Sequence, residues 1–215
     1  MNRKKIDLSH IVAYTISLVL VVLIVIKLFN YFENKPTNTI KQPLKQNELD
    51  IAYGSDSAKL TVFMYSSYSC SYCKLFFDTV FPEFKKNYID NGKVKLVIRL
   101  LETSNNPDAM NAAKTAVCIN KYGKFDKLNQ LLLTDHRVIY TNEFRQMVNE
   151  FEDKDVNVAE CILGGKADDY ILQIRSEFHN FGLTGTPTFI IGKKVYKGYR
   201  DYPNFKKLID YSIKN

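Results

Sequence analysis

Hydrophobic and polar positions fall into three regimes along the chain. From Leu8 to Ile26 no residue carries a formal charge over 19 positions, most of them Ile, Val and Leu. A helix of that length rises roughly 28 Å, enough to cross a hydrocarbon core. His10 and Lys27 flank the run where each can reach an interface, and Tyr14, Tyr31 and Phe32 suit its boundaries. A secretory signal usually has an apolar region of about 7 to 15 residues and a small-x-small site, and Lys27 to Phe32 offers no such site. Residues 1–32 are therefore expected to be a short cytoplasmic stub, basic at Arg3 to Lys5, and an uncleaved transmembrane helix. A cleaved signal with an atypical site and a buried core helix are the alternatives. In residues 33–50, Lys, Asn, Thr and Gln with Pro36 and Pro43 show no sustained period, which predicts a flexible linker.

From residue 51 onward the pattern alternates strand and helix. Lys59 to Tyr65 is a short β-rich run that leads directly into Ser66-Ser67-Tyr68-Ser69-Cys70-Ser71-Tyr72-Cys73. Cys73, Phe76, Phe77, Val80, Phe81 and Phe84 then recur at helical spacing, so Cys73 is expected to point inward. Cys70, one turn earlier, is expected at the exposed helix N-terminus, and Pro82 should bend the helix. Lys93 to Leu101 alternates Val94, Leu96, Ile98 and Leu100 against Lys93, Lys95 and Arg99, a second strand that completes a β-α-β unit. From Asn106-Pro107-Asp108 the period is helical as far as Gly182. One face is Phe144, Met147, Val148 and Phe151, Asn157 and Glu160 have capping-box spacing, and Ile171, Ile174, Phe178 and Phe181 form a further stripe. Strand signals return at Thr186 to Ile191 and Lys194 to Lys197 around a Gly192-Lys193 turn, and an amphipathic helix closes the chain.

Composition narrows the partners. The chain has 215 residues with 46% hydrophobic and 13% aromatic content, enough for a sizeable core. Of the formal charge of +7, residues 1–32 hold +3, and the remainder is spread without a basic stripe, which argues against nucleic-acid binding. Lys outnumbers Arg by 24 to 6, a bias pointing to an AT-rich bacterial genome.

The chemistry rests on four cysteines. Disulfide exchange requires an exposed thiolate that attacks and a second thiol that resolves the mixed disulfide, and it requires no cofactor. Cys70, at a helix N-terminus that lowers thiol pKa, fits the first role, and the more buried Cys73 fits the second. A zinc pair would want further ligands at short spacing, whereas Cys118 and Cys161 stand apart and the histidines are His10, His136 and His179. No metal is expected, and Lys74 after Cys73 excludes covalent haem attachment. Tyr65, Tyr68 and Tyr72 are expected to line an apolar substrate patch.

Residues 52–63 leading to Cys70-Ser71-Tyr72-Cys73-Lys74, with Gly182-Leu183-Thr184-Gly185-Thr186-Pro187-Thr188-Phe189 and Gly192-Lys193 later, resemble the DsbA-like branch of the thioredoxin superfamily. The resemblance covers roughly residues 50 to 214. It implies an α/β thioredoxin fold over residues 51–215 with a helical insertion at about 104–181. It also implies a cis Thr186-Pro187 bond facing the cysteines and a substrate site formed by Thr186, Pro187, Ser71 and Tyr72. Cys118 and Cys161 resemble a second pair found in the insertion of some members, and in an oxidising compartment an even count favours a structural bridge over two free buried thiols. Two departures stand out: Ser71-Tyr72 replaces the Pro-His dipeptide of many strong oxidants, and Met64 occupies the position where some members place a buried acid.

The resulting expectation is a bacterial inner-membrane protein with a single span and a periplasmic thiol:disulfide oxidoreductase domain. It would introduce disulfide bonds into exported proteins that carry free cysteines. Its membrane redox partner would be a quinone-linked oxidase or an electron donor. An isomerase or reductase using the same site, and a non-catalytic thioredoxin-like binding module, are the alternatives.

Overall fold

Backbone pairing begins earlier than the side-chain pattern suggests. The computed structural model describes residues 8–33, 35–102, 107–122, 128–129, 132 and 136–214. The chain divides into two units, Met1–Lys35 and Pro36–Asn215. The first contains α1 (Leu8–Glu33), a helix of 26 residues. The basic stub, Arg3 to Lys5, lies outside the described residues, and side chains in α1 are described only between residues 12 and 28. Over that stretch of α1, and in the other helices among the described residues, nothing is long and apolar enough to cross a membrane.

Among the described residues the second unit is built on six strands: β1 (Asn38–Thr39), β2 (Ile51–Tyr53), β3 (Leu60–Ser66), β4 (Val94–Leu100), β5 (Thr188–Ile191) and β6 (Lys194–Lys197). Their order is β1-β6-β5-β3-β4-β2, with β3 and β4 parallel and the other pairs antiparallel. The parallel pair is the β-α-β unit, whose crossover runs through α2 (Ser71–Thr79) and α3 (Phe81–Phe84). The helix breaks at Val80, with Pro82 in the first turn of α3, and continues as a π-helical turn over Lys85–Ile89. One sheet face carries an aromatic core in which Phe76 of α2 meets Phe189 of β5 and Phe205 of α8 (Tyr202–Lys214), each at 5.2 Å between ring centroids.

The helical insertion consists of α4 (Pro107–Tyr122), α5 (Asn142–Lys154), α6 (Val156–Leu163) and α7 (Lys166–Asn180). Residues 104–106, at its expected start, lie outside the described residues. A disulfide between Cys118 and Cys161 ties α4 to α6 with their Cα atoms 5.8 Å apart. Both cysteines are buried. The cap of α6 is Asp155, whose carboxylate accepts the Asn157 backbone N–H at 2.9 Å, so the Asn157/Glu160 capping box is corrected by two residues. Gly182, at φ 64°, takes the left-handed turn that ends α7 and frees the chain for the loop to β5.

Two sequence expectations are corrected here. The flexible linker over 33–50 is in large part a strap: the Thr37 N–H reaches Val195 O at 2.8 Å, the Ile40 N–H reaches Lys193 O at 2.8 Å, and β1 covers the edge of β6. An open strand edge presents backbone groups that any neighbouring chain can pair with, so no hydrophobic period is needed to hold the strap. Ile40 and Leu49 then enter the core. The second correction concerns β4. Period-two alternation ordinarily marks a half-buried strand, yet all seven residues of β4 are buried, because helices cover both faces of the sheet.

Arg99 is therefore a buried cation, 3% exposed, and its partners come from two segments, the strap and α7. Its Nε donates to Asp50 at 3.2 Å, Nη2 donates to the Lys45 carbonyl oxygen at 2.5 Å, and Nη1 donates to Glu177 of α7. Tyr170 donates to Asp50 at 2.7 Å, and Tyr65 donates to Glu177. Burial alone would lower the Arg99 pKa, but Asp50 and Glu177 outweigh it and keep the guanidinium charged. Replacing Arg99 by Ala leaves a buried carboxylate unpaired, and the expected loss of stability is about 3–5 kcal/mol. Urea unfolding of the two proteins measures it, and a change under about 1 kcal/mol would remove Arg99 as the tie.

Candidate active site

The strand-to-helix turn after β3 places the cysteines. Cys70 is the N-cap of α2 and adopts extended backbone angles of φ −92° and ψ 111°, which leave its side chain free to turn toward the helix end. There its sulfur accepts the Cys73 backbone N–H at 3.2 Å. Three residues on, Cys73 is fully buried on the same stripe as Phe76, as the helical spacing requires. Neither cysteine is bonded to another sulfur. From the other side the loop before β5 brings up Thr186, joined to Pro187 by a cis peptide. The Cys70 thiol donates to the Thr186 carbonyl oxygen at 3.2 Å. Residues 116 apart in sequence thus meet at one sulfur.

Electrostatics separate the two thiols. Cys70 is lowered to about 6, chiefly by the Cys73 thiol beside it; burial opposes this, and Thr186 and the backbone N–H groups of Cys73 and Tyr72 add to it. Burial pushes the Cys73 thiol far up, the Cys70 sulfur adds to the shift, and the Ser67 backbone and the Ser66 hydroxyl oppose it through hydrogen bonds. One thiol is thus poised as a thiolate near neutral pH while the other keeps its proton. Among the described residues no group of three or more His, Cys, Asp or Glu is arranged to hold a metal ion.

The expected substrate patch needs revision. Tyr65 is fully buried and bonded to Glu177, and Tyr68 is 8% exposed and donates to Asn129 at 3.2 Å. Strand alternation sends Tyr65 under α7, and a hydroxyl partner in the insertion draws Tyr68 inward, so neither offers a surface. Tyr72 remains, 60% exposed, with Ser71 exposed next to it. Sequence reasoning missed Tyr199, whose ring stacks on Tyr72 at 6.4 Å and whose hydroxyl lies 3.0 Å from Thr79 Oγ1. Leu75, on the next turn of α2, extends the same apolar surface. No local pattern joins Tyr199 to the CxxC pair, because the contact depends on the turn that follows β6.

The thiolate generates a pH test. In the reduced protein the folded Cys70 pKa lies below its unfolded value, so between about pH 6 and 9 the unfolded chain binds more protons and stability rises with pH. That contribution disappears as the pH falls through 6. Alkylation of Cys70 by iodoacetamide is expected to show a midpoint near pH 6, and the melting temperature of the reduced form is expected to gain on that of the oxidised form from pH 6 to 9. A midpoint at about 8.5 or above, the value of a free thiol, would refute the assignment.

Similarity to known proteins follows the same geometry. The thioredoxin family model matches residues 46–211. A provisionally named protein-disulfide oxidoreductase of Rickettsia bellii is 29% identical over 174 residues, covering 78% of this chain and 66% of that protein. A relative of the same name from Rickettsia felis is 29% identical over 119 residues, 55% of this chain and 42% of its own length. The chain thus matches about two fifths of the length of several of these curated relatives. Among solved structures, alpha-DsbA1 of Wolbachia pipientis superposes with a TM-score of 0.64 at 23% identity, covering 81% of this chain and 94% of that one, which establishes a shared fold. With the family match spanning β2 to α8 and both halves of the cysteine site inside it, the chain belongs to the thioredoxin family.

Proposed function

We propose that this protein is a membrane-anchored thiol:disulfide oxidoreductase that introduces disulfide bonds into exported proteins by exchange through Cys70 and Cys73. The observation that carries the reading is the Cys70 sulfur, held at a helix N-terminus, 3.2 Å from the Thr186 carbonyl and paired with a buried resolving thiol. In the oxidising direction a substrate thiolate attacks Cys70 of the Cys70–Cys73 disulfide, and Cys73 leaves as thiolate. A second substrate thiolate then attacks the mixed disulfide and releases Cys70. The low Cys70 pKa makes Cys70 a good leaving group in that last step. Thr186, next to Pro187, supplies backbone for an extended substrate segment, and the Tyr72, Leu75 and Tyr199 surface receives its apolar side chains. The names of the Rickettsia relatives support this activity class.

The anchor is α1. Its large apolar side chains from Val12 to Leu28 are about half exposed or more on every side, and 26 helical residues rise about 39 Å. A helix apolar all round requires an apolar environment, and a bilayer supplies one. With Arg3 to Lys5 on the cytoplasmic side, the domain from Pro36 lies in the periplasm of a bacterial inner membrane. There a membrane redox partner reoxidises the cysteine pair.

In cells, Cys73→Ser is expected to accumulate mixed disulfides through Cys70, and Cys70→Ser to trap little. Equal trapping by both variants would overturn the assignment of roles. Alkylation trapping of the unaltered protein is expected to find the Cys70–Cys73 pair largely oxidised. A pair held reduced would shift the reading to a reductase or isomerase. The full chain is expected to stay in the membrane fraction after alkaline extraction, with protease added to spheroplasts releasing the domain. Recovery of the full chain in the soluble fraction would end the anchor proposal.

A further inference from the structure

Burying the resolving thiol raises a difficulty that the exchange reading leaves open. Cys73 must carry negative charge twice in a cycle, as a leaving group and as an attacking group, at a position with no access to water. Met64, six residues before Cys70, is fully buried and offers no ionisable group. Among the described residues the buried carboxylates are Asp50, bound to Arg99 and Tyr170, and Glu102, while the partly buried Glu177 is bound to Arg99 and Tyr65. Tyr65 is adjacent to Met64 in β3, so its side chain occupies the opposite sheet face.

Strand register shows what does face the thiol. Met64 pairs with Phe189 across β3 and β5, so the two side chains share a face, and the Phe189 ring packs on Phe76 of α2 at 5.2 Å. Ser66 is two residues beyond Met64 and so ends β3 on that same face, 2% exposed. Cys73 lies one turn before Phe76 on the inner stripe of α2, which carries it over the end of the strand. The Ser66 carbonyl is taken by the Leu101 N–H at 2.7 Å, which fixes the residue's backbone. Its side chain acts on that thiol: the Ser66 hydroxyl and the Ser67 backbone both work to lower the Cys73 pKa against the effect of burial.

We infer that Ser66 is a catalytic hydrogen-bond donor to Cys73, stabilising its sulfur as a thiolate during both exchange steps. The inference rests on the exchange function proposed above and adds a residue to it. A substrate thiolate forms a bond to the Cys70 sulfur, the Cys70–Cys73 bond breaks, and its electron pair leaves on Cys73, toward which the Ser66 O–H points its proton without transferring it. When the second substrate thiol is oxidised, its proton is released, and Cys73 takes up a proton from solvent. The substrate has then lost two electrons and the cysteine pair has gained two. In reverse, the same hydrogen bond stabilises the Cys73 thiolate that attacks the mixed disulfide at Cys70.

The test uses the full chain in detergent and a peptide with a single cysteine, joined to Cys70 as a mixed disulfide. Release of the peptide by Cys73 is followed by acid quench and mass spectrometry. Ser66→Ala is expected to slow release about 10- to 100-fold, the effect of losing one hydrogen bond to a charged group. Iodoacetamide alkylation of reduced Cys70 is expected to stay within about twofold, because Ser66 does not contact Cys70. Ser66→Thr, which keeps the hydroxyl, is expected to release peptide within about threefold of the unaltered protein. Equal release by Ser66→Ala and the unaltered protein, or equal slowing in the Ala and Thr variants, would overturn the role of the hydroxyl while leaving the exchange function intact. If the unaltered protein releases no peptide, the exchange function fails, and this inference fails with it.

Discussion

A buried guanidinium must be neutralised and hydrogen-bonded from every side, and Arg99 meets that demand by drawing two distant segments onto its own strand. Its partners are the Lys45 carbonyl and Asp50 in the strap and Glu177 in α7. Tyr170 and Tyr65 complete the set by donating to the two carboxylates. A charge of this kind contributes little net stability compared with an apolar residue of similar volume, but it tolerates few arrangements. The strap and the insertion are thereby registered against the same strand. α7 ends one turn beyond Glu177, and Gly182 starts the loop that carries Thr186. The position of the Thr186 carbonyl at the Cys70 sulfur thus depends in part on a cluster on the opposite side of the sheet from Cys73.

The division of labour between the cysteines follows from a steep change of environment within one helical turn. Cys70 meets the unpaired N–H groups at the start of α2 and a carbonyl from the facing loop, with some access to water. Cys73 meets the aromatic core. The same helix dipole acts on both, so the dipole alone cannot separate their pKa values; burial does. Their proximity sharpens the difference, because the Cys73 thiol lowers the Cys70 pKa while the Cys70 sulfur raises that of Cys73. Ser71-Tyr72 supplies no cationic side chain between the cysteines, so the low value at Cys70 comes from hydrogen bonds rather than from a neighbouring charge.

Much of this architecture was legible because side-chain period reports burial. The stripe from Cys73 to Phe84, the strand entering Cys70 and the hydrophobic turns of α7 all expose their inner faces in the sequence. Period fails where burial has another cause. Arg99 and Lys95 read as a polar face, yet both faces of β4 are covered, and each cation is matched by a carboxylate far along the chain: Asp50 and Glu177 for Arg99, Asp56 for Lys95. The strap is held by backbone groups that any sequence provides, so its polar composition read as a linker. Tyr65 and Tyr68 were placed correctly along the chain but on the wrong side of the surface, because a tyrosine hydroxyl that finds a buried partner lets the ring follow it inward.

Shortening the free linker also changes how the domain can work. If residues 33–50 were an open coil, they would give a reach of roughly 20 Å or more and wide freedom to reorient. With Thr37 bonded to Val195 and Ile40 to Lys193, the stretch from Thr37 onward is held to the domain and lends no such reach. If α1 is the membrane anchor proposed above, a cysteine site on a tether shortened in this way would meet its substrates near the membrane rather than by searching a large volume, and effective concentration would do work that affinity would otherwise have to do. Under that constraint the apolar surface of Tyr72, Leu75 and Tyr199 would need little selectivity between side chains, and it would release product once the covalent bond to Cys70 is gone.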